Sequence, residues 1–168
     1  MTELSEQLKL TIDHWVAKFP QGKQRSAVVA ALLAAQEENG GWLSEAIMLA
    51  VADYLKISNV EVFEVATFYD MYELKPIGKN KIGLCTNVSC KLRGSDQIEA
   101  ALKQRLGVGL GQTTDDNLFT LRETECLGAC ANAPVCQVND GVFVEDLTVE
   151  SMLELVNRLE QEAQVNHE

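Results

Sequence analysis

An α+β fold class, a helical bundle followed by an α/β domain, is predicted by three observations. Residues 1–78 carry helical periodicity throughout, residues 79–168 alternate strand and helix patterns, and Pro76 and Gly78 break the chain between them. The 168 residues are enough for two small domains with real cores. A hydrophobic content of 46% against 23% charged residues fits an ordinary globular protein.

In the first domain, Leu8, Ile12, Trp15, Val16 and Phe19 recur at helical spacing, and Pro20 with Gly22 ends the run. A second helix is expected from about Lys23 to Glu38, with an alanine-rich apolar surface, stopping at Asn39-Gly40-Gly41. Ser44 suits the cap of a third helix through Tyr54 and Leu55. Ser58 and Glu61 have capping-box spacing for a fourth, with Val62, Val65, Ala66 and Tyr69 along one face. Short links between amphipathic helices predict a small bundle. Trp42, Phe63, Phe68, Tyr69 and Tyr72 are read as helix-to-helix packing, and neither His14 nor His167 has a ligand-spaced neighbour.

In the second domain, Lys81 to Cys85 reads as a strand. Ser95 is the expected cap of a helix carrying Ile98, Ala101, Leu102 and Leu106, ended by Gly107. Gly107 to Gly111 lacks the last glycine of a nucleotide-binding fingerprint and follows a helix, so it is read as a flexible connection. Leu118 to Glu123 alternates weakly as a strand. Val135 to Val138 and Val142 to Val144 flank Asn139-Asp140-Gly141, a strong hairpin signal. A last helix begins near Thr148, with Val149, Met152, Leu153, Val156 and Leu159 on its buried side.

Charge and compartment narrow the function classes. The net charge of −11 is spread evenly, with six basic and eleven acidic groups in residues 1–78 and eight and fourteen in 79–168. Neither part offers a basic face, so nucleic acid is excluded as a partner. The longest apolar run, Ala27 to Ala35, is too short to span a membrane. The acidic start lacks the basic and apolar regions of a secretory signal. A cytoplasmic address follows, where five cysteines point to metal or redox chemistry rather than disulfides.

Four of those cysteines form two pairs. Cys85 and Cys90 enclose four residues, Cys126 and Cys130 enclose three, and each short loop can present two thiolates to a thiophilic metal centre. Gly128, inside the second loop, can adopt backbone conformations that let both side chains turn inward. A strand–helix–strand unit favours a parallel pair, which would bring both loops out at the same sheet edge. Structural zinc remains open on spacing alone, while a dithiol oxidoreductase would be expected to show a C-x-x-C that is absent here.

The wider pattern resembles the thioredoxin-like 2Fe–2S family. It rests on Cys126-Leu127-Gly128-Ala129-Cys130, then Asn132, Ala133, Pro134 and the Asn139-Asp140-Gly141 turn. Upstream stand Gly41-Trp42, Val65-Ala66-Thr67-Phe68-Tyr69, Pro76-Ile77-Gly78, Cys85 to Cys90, and Arg93-Gly94. The resemblance covers nearly the whole chain and is closest to the E-subunit branch, found in NADH:quinone oxidoreductases.

That resemblance implies a thioredoxin-like fold for residues 79–168, with Cys85, Cys90, Cys126 and Cys130 as the ligands of one 2Fe–2S cluster. It implies an electron-transfer subunit that docks, through residues 1–78, on a flavoprotein F subunit holding FMN and the NADH site. The complex would place it at the cytoplasmic side of the inner membrane, without direct lipid contact. Diaphorase components of NAD-reducing hydrogenases and formate dehydrogenases belong to the same branch, and a zinc-stabilised interaction module is the rival from another class. Cys136 departs from the family pattern and is read as a small buried hydrophobe. Lys91 and Arg93, just past Cys90, are candidates for moderating the cluster's negative charge.

Overall fold

The computed structural model describes residues 3–165, so His167 lies outside the described residues. The chain divides into two compact units, Met1–Pro76 and Ile77–Glu168.

The first unit contains α1 (Glu6–Val16), a 3-10 turn (Gln24–Ala27), α2 (Val28–Glu38), α3 (Glu45–Leu55) and α4 (Asn59–Phe68). Hydroxyl caps start three of the helices. Ser5 accepts from the Leu8 N–H, Ser44 from that of Ile47, and Ser58 forms the full capping box with Glu61. Fully buried Ala31, Leu32 and Ala35 let α2 sit close to its neighbours in a core with Ile12, Val51, Leu55 and Val62. Buried Gln36 donates to Met71 O and accepts from Glu73 N, while the Tyr72 hydroxyl donates to Val29 O at 2.9 Å. The segment after α4 is thereby locked onto α2.

Three expectations for this unit need correction. The second helix begins at Val28, and the residues before it form a tighter 3-10 turn. Tyr69 lies beyond the end of α4 in extended backbone and is 43% exposed, so it does not share the buried face of Val62 and Ala66. Phe68 is 79% exposed and stacks edge-on against Tyr69 instead of packing helix to helix.

The second unit contains β1 (Asn80–Cys85), α5 (Val88–Leu92), α6 (Ser95–Leu106), β2 (Gln112–Thr113), β3 (Phe119–Thr124), β4 (Cys136–Val138), β5 (Val142–Val144) and α7 (Val149–Val165). The sheet order is β2-β3-β1-β4-β5. β1 is central and buried along its whole length, parallel to β3 and antiparallel to β4. Ile82, Leu84, Phe119 and Leu121 meet Ile98 and Leu102 of α6 and Met152, Leu155 and Val156 of α7 in one core. Asn139 and Asp140, both with positive φ, turn the β4–β5 hairpin, and the turn is fastened to β1. Lys81 N–H donates to Asn139 Oδ1 at 2.7 Å, and its ammonium pairs with Asp140 at 2.6 Å.

Local corrections follow here too. Gly94, at φ 100°, is the residue before α6, and Ser95 becomes the first helical residue, buried with its hydroxyl unpartnered. The glycine-rich stretch is not a loose connection. Gly111 N–H donates to Leu121 O at 2.7 Å, and Val108 and Leu110 pack on the core before β2. On α7, Leu155 rather than Leu153 is buried. Among the described residues no helix is long and apolar enough to cross a membrane.

Candidate metal centre

The first cysteine loop begins where β1 ends. Cys85, the last residue of that strand, is buried and donates its N–H to Val135 O at 3.1 Å. Asn87 then starts α5, its side chain accepting from Val88 N. One turn of helix turns Cys90 inward to full burial while Val88 and Leu92 face solvent. Burial pushes the Cys90 thiol up, and its hydrogen bond with the Cys85 thiol adds to this. A backbone hydrogen bond from Val135 pulls in the opposite direction, favouring thiolate.

The second loop leaves β3, whose last residue Thr124 pairs with Cys85 in the parallel ladder. Gly128 adopts φ 79°, a left-handed conformation suited to glycine, and this aims its N–H at Cys126 Sγ, 3.4 Å away. Cys130 opens a short 3-10 turn (Cys130–Asn132), and its sulfur stands 3.7 Å from that of Cys126. Both sulfurs of this loop are on exposed residues, unlike those of the first.

The loops meet. Cys85, Cys90, Ala133 and Val135 form a separate apolar cluster on which Leu127 and Ala129 of the second loop pack. Polar ties cross the same gap: Thr86 Oγ1 donates to Glu123 at 2.8 Å and Asn87 Nδ2 to Glu125 at 3.2 Å. Arg93 donates to the carbonyls of Ala131 and Ala133. Lys91 turns to Asp96 at 3.8 Å. The Ala133–Pro134 bond following the second loop is cis.

Cys136 does not join them. It is fully buried in β4 among Ile82, Leu84 and the α7 side chains, where burial pushes its thiol up to about 12. Among the described residues, no group of three or more His, Cys, Asp or Glu side chains closes on a point that could hold a single metal ion. Two cysteine pairs on facing loops offer the number and kind of donors that a dinuclear iron–sulfur cluster would take. The residues present fit that group, and the Gly128 N–H directed at sulfur is the type of contact that stabilises it.

Paired cysteines on one rim of an α/β sheet are the arrangement in which thiolate-ligated metal centres are held. Within that class, the chain belongs to the thioredoxin-like 2Fe-2S ferredoxin family, whose pattern matches residues 12–160, and one 2Fe–2S cluster is the cofactor that goes with membership. Similar proteins agree. The NADH-quinone oxidoreductase E subunit of Rickettsia bellii is 46% identical over 144 residues, covering 86% of each chain. The mitochondrial NADH dehydrogenase (ubiquinone) flavoprotein 2 of Dictyostelium discoideum is 41% identical over 157 residues, covering 94% of this chain and 63% of that one. A solved NAD+-reducing nickel–iron hydrogenase in its air-oxidised state superposes with a TM-score of 0.68 at 21% identity. The match covers 78% of this chain and 23% of the hydrogenase chain and shows a shared fold, consistent with the thioredoxin-like family.

Sequence reasoning missed Asn87, and it singled out Arg93 for its charge without seeing that it joins the loops. Asn87 before Val88 was the one available signal for α5, an N-cap residue followed by too few positions for periodicity to register. The grip of Arg93 on carbonyls 38 and 40 residues away has no local signature.

Proposed function

We propose that this chain is the electron-transfer subunit of an NADH:quinone oxidoreductase, exchanging single electrons with FMN on a partner flavoprotein, the F subunit. Cys85, Cys90, Cys126 and Cys130 hold its 2Fe–2S cluster. The observation that carries the reading is the packing of Leu127 and Ala129 against buried Cys85 and Cys90, which brings two distant loops to one sheet edge. Respiratory relatives 46% identical over most of the chain support this assignment over a diaphorase of another complex. When bound, the cluster supplies one-electron redox chemistry, which a flavin relates to the two-electron chemistry of a nicotinamide.

The chain's own residues do the rest. Burial of Cys85 and Cys90 in an apolar patch excludes water from one side, and exposure of Cys126 and Cys130 leaves the other side open to a redox partner. The Gly128 N–H offsets charge on the Cys126 sulfur. Residues 1–78 dock on the flavoprotein, and exposed Phe68 and Tyr69 supply an apolar contact of the kind such a surface needs. The partner holds FMN and NADH, and the assembled complex keeps the chain at the cytoplasmic side of the inner membrane.

Iron and acid-labile sulfide analysis of anaerobically prepared protein tests the site. It should give red-brown protein with two of each per chain, lost on Cys→Ala substitution at any of the four positions. A colourless protein holding zinc would overturn the reading, as would NADH oxidation by the purified chain alone.

A further inference from the structure

We propose that Arg93 is a positioning residue that holds the Cys126–Cys130 loop against the Cys85–Cys90 loop, and that retention of the cluster depends on it. The proposal rests on the four-cysteine site described above. Carbonyl groups at the end of a helical turn have no partner within the turn and need donors from elsewhere. The 3-10 turn that begins at Cys130 runs into four successive carbonyls, and these are taken alternately from two directions. Asp146 N–H donates to Asn132 O at 2.7 Å and Leu147 N–H to Pro134 O at 3.0 Å. One nitrogen of Arg93, Nη1, donates to Ala131 O at 3.1 Å and to Ala133 O at 3.2 Å.

The backbone carrying Cys130 is therefore gripped along both edges. One grip comes from the link between β5 and α7. The other comes from a side chain three positions past Cys90, at the end of the short helix that carries it. On the near side of Cys126, Asn87 holds Glu125, so the second loop is tied down before its first cysteine and after its last. Arg93 differs from that tie in what it holds. Its acceptors are main-chain atoms, so losing it frees the peptide units that directly follow Cys130, rather than one neighbouring side chain. Arg93 is exposed, yet its role is not that of a surface charge, because the contact requires reach and two donor hydrogens on one nitrogen.

The test uses the full-length, cluster-loaded chain with Arg93→Met and Arg93→Lys. Both variants should keep the wild-type far-UV circular dichroism and release iron to excess chelator about tenfold faster, the scale seen when an outer contact of a metal site is lost. Both should also change the visible circular dichroism of the cluster. Lysine keeps the charge but presents it on a shorter reach, so it should fail with methionine. Wild-type iron retention in Arg93→Met would overturn the proposal. So would full recovery of retention and spectrum in Arg93→Lys, which would assign the effect to charge alone. A second readout covers variants that load poorly: hydrogen exchange at the Asn132 amide, which donates to Ala129 O at 3.0 Å, should quicken in both cluster-free variants. Unchanged exchange there would also overturn the grip. A wild-type chain without iron and sulfide would sink the four-cysteine site itself, and the proposal with it.

Discussion

The five cysteines divide by surroundings rather than by spacing. Cys136 stands close in sequence to the second pair, but its thiol belongs to the sheet core, and burial holds it protonated with a pKa pushed up to about 12. It should resist alkylation at neutral pH until the protein unfolds, and Cys136→Ala should keep full iron and visible absorption; mass spectrometry of the labelled protein and iron assay check both. Gly128 is the converse case, a residue without a side chain whose backbone angle is the functional feature. No atom crowds the position, so Gly128→Ala fits sterically, but it must hold a left-handed backbone at a cost of about 1–2 kcal/mol. The loop should relax from that angle and lose the N–H directed at Cys126. Faster cluster bleaching under chelator, with an unchanged far-UV spectrum, is the expected result.

At the scale of elements, caps were legible in the sequence and very short elements were not. Ser44 and the Ser58–Glu61 box stand where their spacing put them, because an N-cap is a local contact between residues a few positions apart. Ser95 misled, because Gly94 reached the required backbone angle first and left the serine inside the helix. β2, two residues long, exists through its pairing with β3, and α5 spans only five residues; neither is long enough to show a period. The capping box also carries a pH dependence. The Ser58 N–H, followed by the Ser58 hydroxyl, holds the Glu61 carboxyl below its ordinary value. A depressed folded-state pKa contributes stability that is complete above the unfolded value and is lost as pH falls through the folded one. The α4 cap should therefore weaken in acid, below the usual glutamate range. Glu61→Gln should keep a neutral version of the box and flatten the acid limb of a urea-unfolding series.

For the whole molecule, the chain divides at Pro76–Ile77, beside the break that Pro76 and Gly78 signal, but the exposed surface of the first unit was not legible. Aromatic residues near the end of α4 look like core material in a pattern of letters, since periodicity cannot say which neighbours exist. In the folded unit Phe68 is exposed, and under the proposed function it is a candidate contact for the flavoprotein partner. Phe68→Ser should weaken association with that partner about tenfold or more while leaving iron content unchanged, as read by calorimetry on the two loaded proteins. Convergence of the cysteine loops was legible because it follows from one topological fact, the parallel pairing of β1 with β3, which puts Cys85 opposite Thr124 at the end of the ladder.

That pairing also bears on how a cluster would be acquired. The two cysteine loops follow the ends of β1 and β3, strands joined by a long crossover, so they come to one edge only once the sheet has formed. The core beneath them, from Ile82 to Leu159, closes without any contribution from Cys85, Cys90, Cys126 or Cys130. The cluster-free chain is therefore expected to fold, unlike small zinc modules that need their ion in order to fold at all, and far-UV circular dichroism of iron-free protein checks this. A maturation factor handing over a preassembled centre would meet a ready cradle, one buried pair of thiols behind and one open pair in front.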